Sequence, residues 1–297
     1  MANVLVVGSI NIDFVVRADN FPRAGETLPG SDFSTHAGGK GANQAVAAAR
    51  LGARVTMLGR VGGDVFGQQL KTRLAQEGIE TRWVTETAGA PTGVAAITVR
   101  NGENAIIVVR GANASLAAAD LDAAASAFAA ADVVLAQLEV PVDTVAHAAG
   151  LAARHGKPFI LNPAPAMPLD QSLLARCTLL TPNEYELAAV LGRPDTPWQQ
   201  ALAVMPGRIV MTKGAEGAYY TDASGTLRHQ NRFDVTVVDT TGAGDAFNGA
   251  LAAFWPLGFT EAVRRAAATG ALAVTKPGAQ EGMPSAAELD AFLRRAE

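Results

Sequence analysis

The sequence predicts an α/β protein, a parallel-sheet sandwich flanked by helices with a small β-sheet lid. Short apolar runs such as NVLVVGSI and RVTMLGRVG indicate buried strands, and Ala-rich or amphipathic segments ending in Gly alternate with them. Strands that alternate with helices of this length form a parallel sheet covered on both faces.

The alternation can be followed along the whole chain. After the first strand, GANQAVAAARLG predicts a helix, RVTMLGRVG a strand and DVFGQQLKTRLAQEG an amphipathic helix. Later strands are ADVVLAQLE, KPFILNPAP, CTLLTP and GRIVMTKG, and later helices are PVDTVAHAAGLAARHG and NEYELAAVLG. The segments GAYYTD and FDVTVVDTTG follow, and helices run from Gly244 onward. Ligands of such sheets bind at the carboxyl ends of the strands.

Two stretches interrupt the alternation, residues 12–36 and 92–110, because they lack helical periodicity. The second predicts a hairpin, with β-rich runs around NGEN. We expect both stretches to form a lid beside the site, on a single domain spanning residues 1–297. The alternative is an ordinary extension of the sheet edge.

Composition excludes several classes of protein. The chain has 297 residues, with 24 basic and 28 acidic side chains and no basic cluster, so nucleic-acid binding is not expected. No apolar run is long enough for a membrane helix, and the N-terminal residues do not resemble a signal peptide. A single cysteine, Cys177, excludes an intrachain disulfide and a cysteine metal site. We therefore expect a cytoplasmic protein.

The densest motif is DTTGAGDAFNG, which runs from Asp239 to Gly249. A glycine-rich turn entering a helix presents free N–H groups and the positive end of the helix dipole, which suits anions. The motif is neither a Walker A loop nor the dinucleotide fingerprint. Asp245 is either a helix cap or a base for an attacking hydroxyl, with the N–H groups of Ala243, Gly244 and Asp245 around a phosphoryl group.

Other polar residues follow the predicted strands. SINID places Asn11 and Asp13 on one face of an extended segment, where an amide and a carboxylate can bind vicinal hydroxyls. HAGGKGANQA places Lys40 and Asn43 at a helix start, and AQLEVP places Glu139 after a strand. These residue types suit a polyhydroxylated ligand.

Two further motifs favour a nucleotide site. TPNEYE opens a helix with Asn183, Glu184 and Glu186, which either cap the helix or order water around Mg²⁺. TKGAEG ends a strand with a turn that suits a nucleotide, and LNPAPA places Asn162 at another strand end.

Taken together, these residues resemble the ribokinase family, within the phosphofructokinase-B-type carbohydrate kinases. GGKGANQAVAAARLGA at 38–53 is similar to the N-terminal signature of the family, and DTTGAGDAFNGAL at 239–251 is similar to its C-terminal signature. GSINID, GANA, QLE, LNPAPA, TPNE and KPGAQ match in the same order, so the resemblance covers essentially the whole chain.

The resemblance implies ATP-dependent phosphorylation of ribose at its 5-hydroxyl, and a lid that also forms a homodimer contact. It implies that Asp245 is the catalytic base and that Gly242, Ala243 and Gly244 form the anion hole. The implied sugar contacts are Asn11, Asp13, Gly39, Lys40, Asn43, Glu139 and Asp245. The implied ATP contacts are Asn183, Glu186, Thr212, Gly214, Gly217 and Gly244, with Glu186 also ordering Mg²⁺ through water.

An activating monovalent cation, usually K⁺, is also implied by the resemblance. Its implied site consists of Asp239, Thr241, Ala273, Lys276, Gly278 and Gly282. The chain departs from the family pattern at two positions. Ala267 stands where a polar or His residue is common near the nucleotide, and Gly282 stands where some relatives have Ser.

Three other functions stay open from the sequence. The chain could be a kinase for another sugar (deoxyribose, fructose or 2-keto-3-deoxygluconate) or for a nucleoside, although the polar Asn11 and Asp13 argue against deoxyribose. It could be a catalytically silent sugar-binding protein, against which the intact base and anion hole argue. A nicotinamide-dependent dehydrogenase is disfavoured by the failed dinucleotide fingerprint.

Overall fold

The computed structural model describes residues 1–100, 103–193 and 195–296. The strands are β1 (Asn3–Val7), β2 (Asn11–Arg17), β3 (Asp32–Gly38), β4 (Arg54–Gly62), β5 (Glu80–Thr87), β6 (Gly93–Arg100), β7 (Glu103–Val109), β8 (Val133–Gln137), β9 (Phe159–Asn162), β10 (Leu179–Leu180), β11 (Val210–Thr212), β12 (Ala218–Thr221) and β13 (Leu227–Gln230). The helices are α1 (Lys40–Arg50), α2 (Val65–Gln76), α3 (Ala118–Ala123), α4 (Ala125–Ala130), α5 (Val142–Arg154), α6 (Gln171–Arg176), α7 (Glu184–Val190), α8 (Trp198–Leu202), α9 (Ala243–Ala253), α10 (Phe259–Ala273), α11 (Ala279–Gly282) and α12 (Ala286–Ala296).

The central sheet confirms the predicted parallel architecture. Its order is β10-β9-β8-β1-β4-β5, and every neighbouring pair is parallel. The sequence reading missed β5. That edge strand alternates exposed and partly buried residues, so it contains no apolar run that marks a buried strand.

Helices cover both faces of this sheet, as its apolar strands require. Side chains of β1 alternate between the two faces: Val4 and Val6 belong to the core beneath α1, α9 and α10, whereas Leu5 and Val7 belong to the core beneath α5. Among the described residues, no helix combines the length and apolar character needed to cross a membrane.

A second sheet of four strands lies beside the first in the order β3-β2-β6-β7. The β2–β6 pair is parallel and the other two pairs are antiparallel. Its strands overlap the two stretches that lack helical periodicity, and the predicted hairpin turn at residues 101–102 lies outside the described residues. Because β2 begins shortly after β1 ends, this sheet starts at the carboxyl edge of the central sheet.

A third, antiparallel sheet has the order β11-β12-β13. Parallel bridges from Leu180 to Ile209 and from Asn183 to Thr212 join it to the β10 edge of the central sheet. FDVTVVDTTG is irregular coil between β13 and α9, and it forms one wall of the cavity described below.

Candidate active site

The first turn of α9 leaves main-chain donors free. Gly242 precedes this helix with φ +77°, a left-handed conformation that glycine adopts without strain, and its carbonyl accepts the N–H of Ala246 at 2.8 Å. The N–H of Ala243 donates to Thr240 over a long 3.3 Å. Within the described chain, the N–H groups of Gly244 and Asp245 make no backbone hydrogen bond. These are the donors that a helix start offers to an anion.

Asp245 is buried in this first turn, and two side-chain amides bind its carboxylate. Asn43 Nδ2 donates to Oδ2 at 2.9 Å, and Gln44 Nε2 donates to Oδ1 at 2.9 Å. The side chain therefore does not cap its own helix, for which no side-chain cap hydrogen bond exists. A buried carboxylate that accepts hydrogen bonds on both oxygens is held in one orientation.

Close packing of α1 against α9 brings these groups together. A Cβ atom at Gly249 would lie 2.5 Å from the carbonyl oxygen of Gln44 and 2.6 Å from Cβ of Ala47. The absence of a side chain at Gly249 thus allows the helix carrying Asp245 to approach the helix carrying Asn43 and Gln44. The sequence alone identifies Gly249 only as part of the glycine-rich helix start.

Asn11 lies at the beginning of β2 and is held by a residue that the predicted site omitted. Asn113 Nδ2 donates to Asn11 Oδ1 at 2.8 Å, and the side chain of Asn113 also bonds the N–H and carbonyl of Ile10. Because the oxygen of Asn11 is occupied in this way, its amide nitrogen is the part left to a ligand. Asn113 lies in the GANA motif, which was the signal for it.

Glu139 links the segment after β1 to the N-terminus of α1. Its Oε2 accepts the hydroxyl of Ser9 at 2.5 Å and the N–H of Lys40 at 3.0 Å, at the N-terminus of α1. The carboxylate of Asp245 is the main cause that raises the pKa of Lys40 above its usual range, with smaller contributions from Glu139 and Glu186. Lys40 is therefore a fixed positive charge within this acidic group.

Asp13 lies on β2, opposite His36 of β3. Burial, followed by repulsion from Glu139, Asp245 and Glu281, raises the pKa of Asp13 to about 7. With this pKa the carboxyl group is partly ionised near neutral pH, so a ligand bound beside it changes its charge.

Next to Gly244 lies a cavity of about 550 Å³, bounded by β11, the 231–242 coil, α9 and α10. Five of the residues implied for ATP line it, namely Asn183, Thr212, Gly214, Gly217 and Gly244. Glu186 does not line it. Ala267, Gly270, Ala271 and Val274 of the α10 region form an apolar wall, and Arg232 and Asp234 lie at the exposed side.

Asn183 and Glu186 form the capping box of α7. Asn183 Oδ1 accepts the N–H of Glu186 at 2.8 Å, and Glu186 Oε2 accepts the N–H of Asn183 at 2.8 Å. The N-x-x-E pattern thus has the capping role, one of the two interpretations that the sequence allows. Burial raises the pKa of Glu186 above its usual range, and its Oε1 has no hydrogen-bond partner among the described residues.

The segments implied for a monovalent cation meet beside α9. Asp239 Oδ1 accepts the N–H and hydroxyl of Thr241, and Oδ2 accepts the N–H of Gly278 at 2.9 Å. Although partial burial opposes ionisation, these hydrogen bonds keep the pKa of Asp239 below its usual range. A Cβ atom at Gly282 would lie 2.8 Å from the carbonyl oxygen of Ala273 and 3.6 Å from that of Lys276. The donors present are a carboxylate and main-chain carbonyls, which suit a weakly hydrated cation.

Sequence reasoning missed a set of buried amides around Asp245. Gln44 and Gln280 each bond a member of the Asp245 site, and Gln137 and Asn162 bond Gln44. Asn162 had been noted at a strand end without a role. For Gln44 and Gln137 the available signal was position, because Gln44 adjoins Asn43 and Gln137 ends β8.

A buried carboxylate beside free helix-start N–H groups and a cavity of about 550 Å³ suits the class of phosphoryl-transfer enzymes. Residues 1–286 match the pfkB family of carbohydrate kinases, and the chain belongs to this family.

The names of individual similar proteins are consistent with membership of this family. A ribokinase of Bacillus subtilis is 41% identical over 295 residues, covering 99% of this chain and 100% of the relative. A deoxyribokinase of Salmonella typhi is 36% identical over 302 residues, covering 98% of each chain. The structure of Arabidopsis thaliana ribokinase complexed with ribose and ATP is similar with a TM-score of 0.91 and 31% identity, covering 99% of each chain.

Proposed function

We propose that this chain transfers the γ-phosphoryl group of ATP to the 5-hydroxyl of D-ribose, giving D-ribose 5-phosphate and ADP. The observation that carries the proposal is the position of Asp245, whose oriented carboxylate lies between the sugar-side polar residues and the two free N–H groups of α9. The ribokinases among the relatives support the choice of sugar.

In the proposed reaction, the ribose 5-oxygen attacks the γ-phosphorus as the bond from that phosphorus to the β,γ-bridging oxygen breaks. The electron pair of the broken bond leaves with ADP, and the hydroxyl proton goes to Asp245. Because such transition states are loose, the proton moves late and positioning contributes most of the acceleration. The N–H groups of Gly244 and Asp245, with the Gly242–Ala243 turn, stabilise negative charge on the transferring group.

Sugar recognition is assigned to Asn11, Asp13 and Glu139, together with Gly39, Lys40 and Asn43. The amide nitrogen of Asn11 is left free by Asn113 and donates to a sugar hydroxyl. With the 2-hydroxyl in that position, a deoxyribose would leave a buried donor unpaired, which favours ribose. The β2-β3-β6-β7 sheet acts as the lid that excludes water.

ATP occupies the cavity lined by Asn183, Thr212, Gly214, Gly217 and Gly244, and Glu186 holds Mg²⁺ through water. The free Oε1 of Glu186 fits that role. Bound Mg²⁺ neutralises charge on the phosphates, and bound K⁺ adds positive potential near the anion hole. Asp239, Thr241 and the main chain at Ala273, Lys276, Gly278 and Gly282 hold the K⁺.

The lid also forms a homodimer contact in this proposal. Strand β7 exposes a run of apolar side chains, with Ile107 71% exposed, and Phe33 of β3 is 61% exposed on the same sheet. We expect light scattering to show a dimer and Ile107→Lys to give a monomer. A monomeric unaltered chain would contradict the contact.

We place the enzyme in the cytoplasm, because a single buried thiol suits a reducing compartment.

The proposal is tested by coupled ADP release with D-ribose, 2-deoxyribose, fructose, 2-keto-3-deoxygluconate and adenosine, each in K⁺ and in Na⁺. We expect turnover on ribose that increases with K⁺. Turnover on another member of the panel would retain the chemistry and correct the substrate. Absence of turnover on every member, with ATP still bound, would identify a silent binding protein and overturn the proposal.

A further inference from the structure

We propose that Gln44 is a positioning residue for phosphoryl transfer, which orients the carboxylate of Asp245. The inference rests on the proposed role of Asp245 as the base. Gln44 is completely buried on α1, where its Nε2 lies 2.9 Å from Asp245 Oδ1. Its neighbour Asn43 binds the other carboxylate oxygen at 2.9 Å.

The direction of the Gln44 amide follows from its partners. The carbonyl of Thr181 can only accept, so Asn162 must turn its nitrogen to it, at 3.1 Å. The oxygen of Asn162 then accepts from Gln44 Nε2, also at 3.1 Å. A chain of hydrogen bonds anchored on a main-chain carbonyl therefore directs the nitrogen of Gln44 towards Asp245.

Every hydrogen-bonding group of the Gln44 side-chain amide has a partner. Both hydrogens of Nε2 are used, one by Asp245 and one by Asn162, and Oε1 accepts from Gln137 Nε2 at 2.6 Å. Gln44 therefore has no donor left for the sugar and acts through Asp245. The carboxylate retains further lone pairs, so it can still accept the proton of a hydroxyl.

Charged groups around Asp245 do not replace this contact. Lys40, Asp13 and Glu186 are close enough to interact with its charge. Among the described side chains, however, only Asn43 and Gln44 donate hydrogen bonds to its oxygens. Removing the donor at Gln44 leaves the orientation of the carboxylate to one remaining amide.

The test compares Gln44→Met with Thr144→Val. Methionine is unbranched and of similar size but cannot donate. Thr144 is a buried residue of α5 whose hydroxyl donates to the carbonyl of Leu116 at 2.7 Å and to no residue of the site. For both variants and the unaltered chain, kcat is measured with saturating ribose and ATP, together with KM for each substrate and thermal unfolding.

We expect Gln44→Met to lower kcat about 10- to 100-fold while KM for ribose and KM for ATP stay unchanged. Thr144→Val should lose stability but keep the kcat of the unaltered chain. If folded Gln44→Met keeps the original kcat, or if KM for ribose rises in place of a fall in kcat, the positioning role is overturned. An equal fall of kcat in Thr144→Val would also overturn it.

Gln44→Glu provides a second variant if the methionine chain does not fold. It keeps the size of the side chain and places a carboxyl group at hydrogen-bond distance from Asp245. A carboxylate there cannot donate to Asp245 and repels its charge, so kcat should again fall with both KM values unchanged. An unchanged kcat would contradict the inference.

Asp245→Asn separates this inference from the proposed function. If that variant retains turnover, the assignment of the base fails and the role of Gln44 fails with it. If it is inactive while Gln44→Met and Gln44→Glu both behave like the unaltered chain, only the positioning role is overturned.

Discussion

The two ends of the site differ in how they are built. Around Asp245, buried side chains hydrogen-bond one another, as in the contacts with Asn43 and Gln44. The nucleotide cavity instead has a wall of small apolar residues that includes Ala267 and Ala271, and its polar residues Arg232 and Asp234 are exposed.

This difference predicts different responses to substitution. A preorganised group of polar side chains depends on each atom, because an unpaired buried polar atom is costly and a displaced base loses much of its effect. A cavity of small side chains depends mainly on its volume, since other side chains of similar size leave the same space. The substitutions below test the contrast, from the largest expected effect to the smallest.

Asp245→Asn should have the largest effect. It keeps the shape of the side chain but removes the base, so we expect kcat for ribose to fall roughly 10³-fold while KM for ATP changes little. Steady-state kinetics with each substrate varied in turn would measure both. Near-normal turnover would show that Asp245 is not the base and that the buried polar end is no more critical than the cavity.

Gly249→Ala should come next, because a Cβ atom would lie 2.5 Å from the carbonyl oxygen of Gln44. The added methyl group forces α1 and α9 apart and displaces the amides from Asp245, so kcat should fall about 100-fold. Gly150→Ala is the matched control, since it lies within helix α5 and a Cβ there meets nothing within 4 Å. Equal kcat in both variants would argue against close packing as the device that aligns the base.

Much of this arrangement could be predicted from local sequence, and the remainder could not. The central strands and Asp245 lie in apolar runs and a glycine-rich motif, which are local signals. Strand β5 was missed because an edge strand needs no apolar run. The partnership of Gln44 with Asp245 joins residues 201 positions apart, so it exists only after α1 and α9 pack together. Asn183 and Glu186 show a further limit, because one pattern fits both a capping box and a nucleotide site.

Ala267→Leu tests the cavity end. The larger side chain projects from the apolar wall and reduces the volume for the nucleotide, so KM for ATP should rise about tenfold while KM for ribose stays constant. Ala267→Ser, which adds little volume, should change neither constant. If the serine variant instead alters KM for ATP as strongly as leucine does, polarity rather than volume governs this wall.

Asp13→Asn tests the smallest expected effect, which is a change in how the free energy of unfolding depends on pH. The pKa of Asp13 is raised from 3.8 to about 7 in the folded chain, mainly by burial and then by Glu139, Asp245 and Glu281. Between these two values the folded state binds a proton that the unfolded state has lost, so this group's contribution to stability falls as pH rises. From pH 5 to pH 8 the loss is of the order of 2 kcal/mol in the free energy of unfolding.

Because asparagine cannot ionise, Asp13→Asn should lack this component of the pH dependence. Urea unfolding of both chains at pH 5 and pH 8 measures it, and the variant should gain stability relative to the unaltered chain as pH rises. Parallel changes in the two chains would mean that Asp13 ionises without cost, as an exposed carboxylate does. The contrast between a buried, electrostatically constrained sugar end and a cavity governed by volume would then not extend to β2.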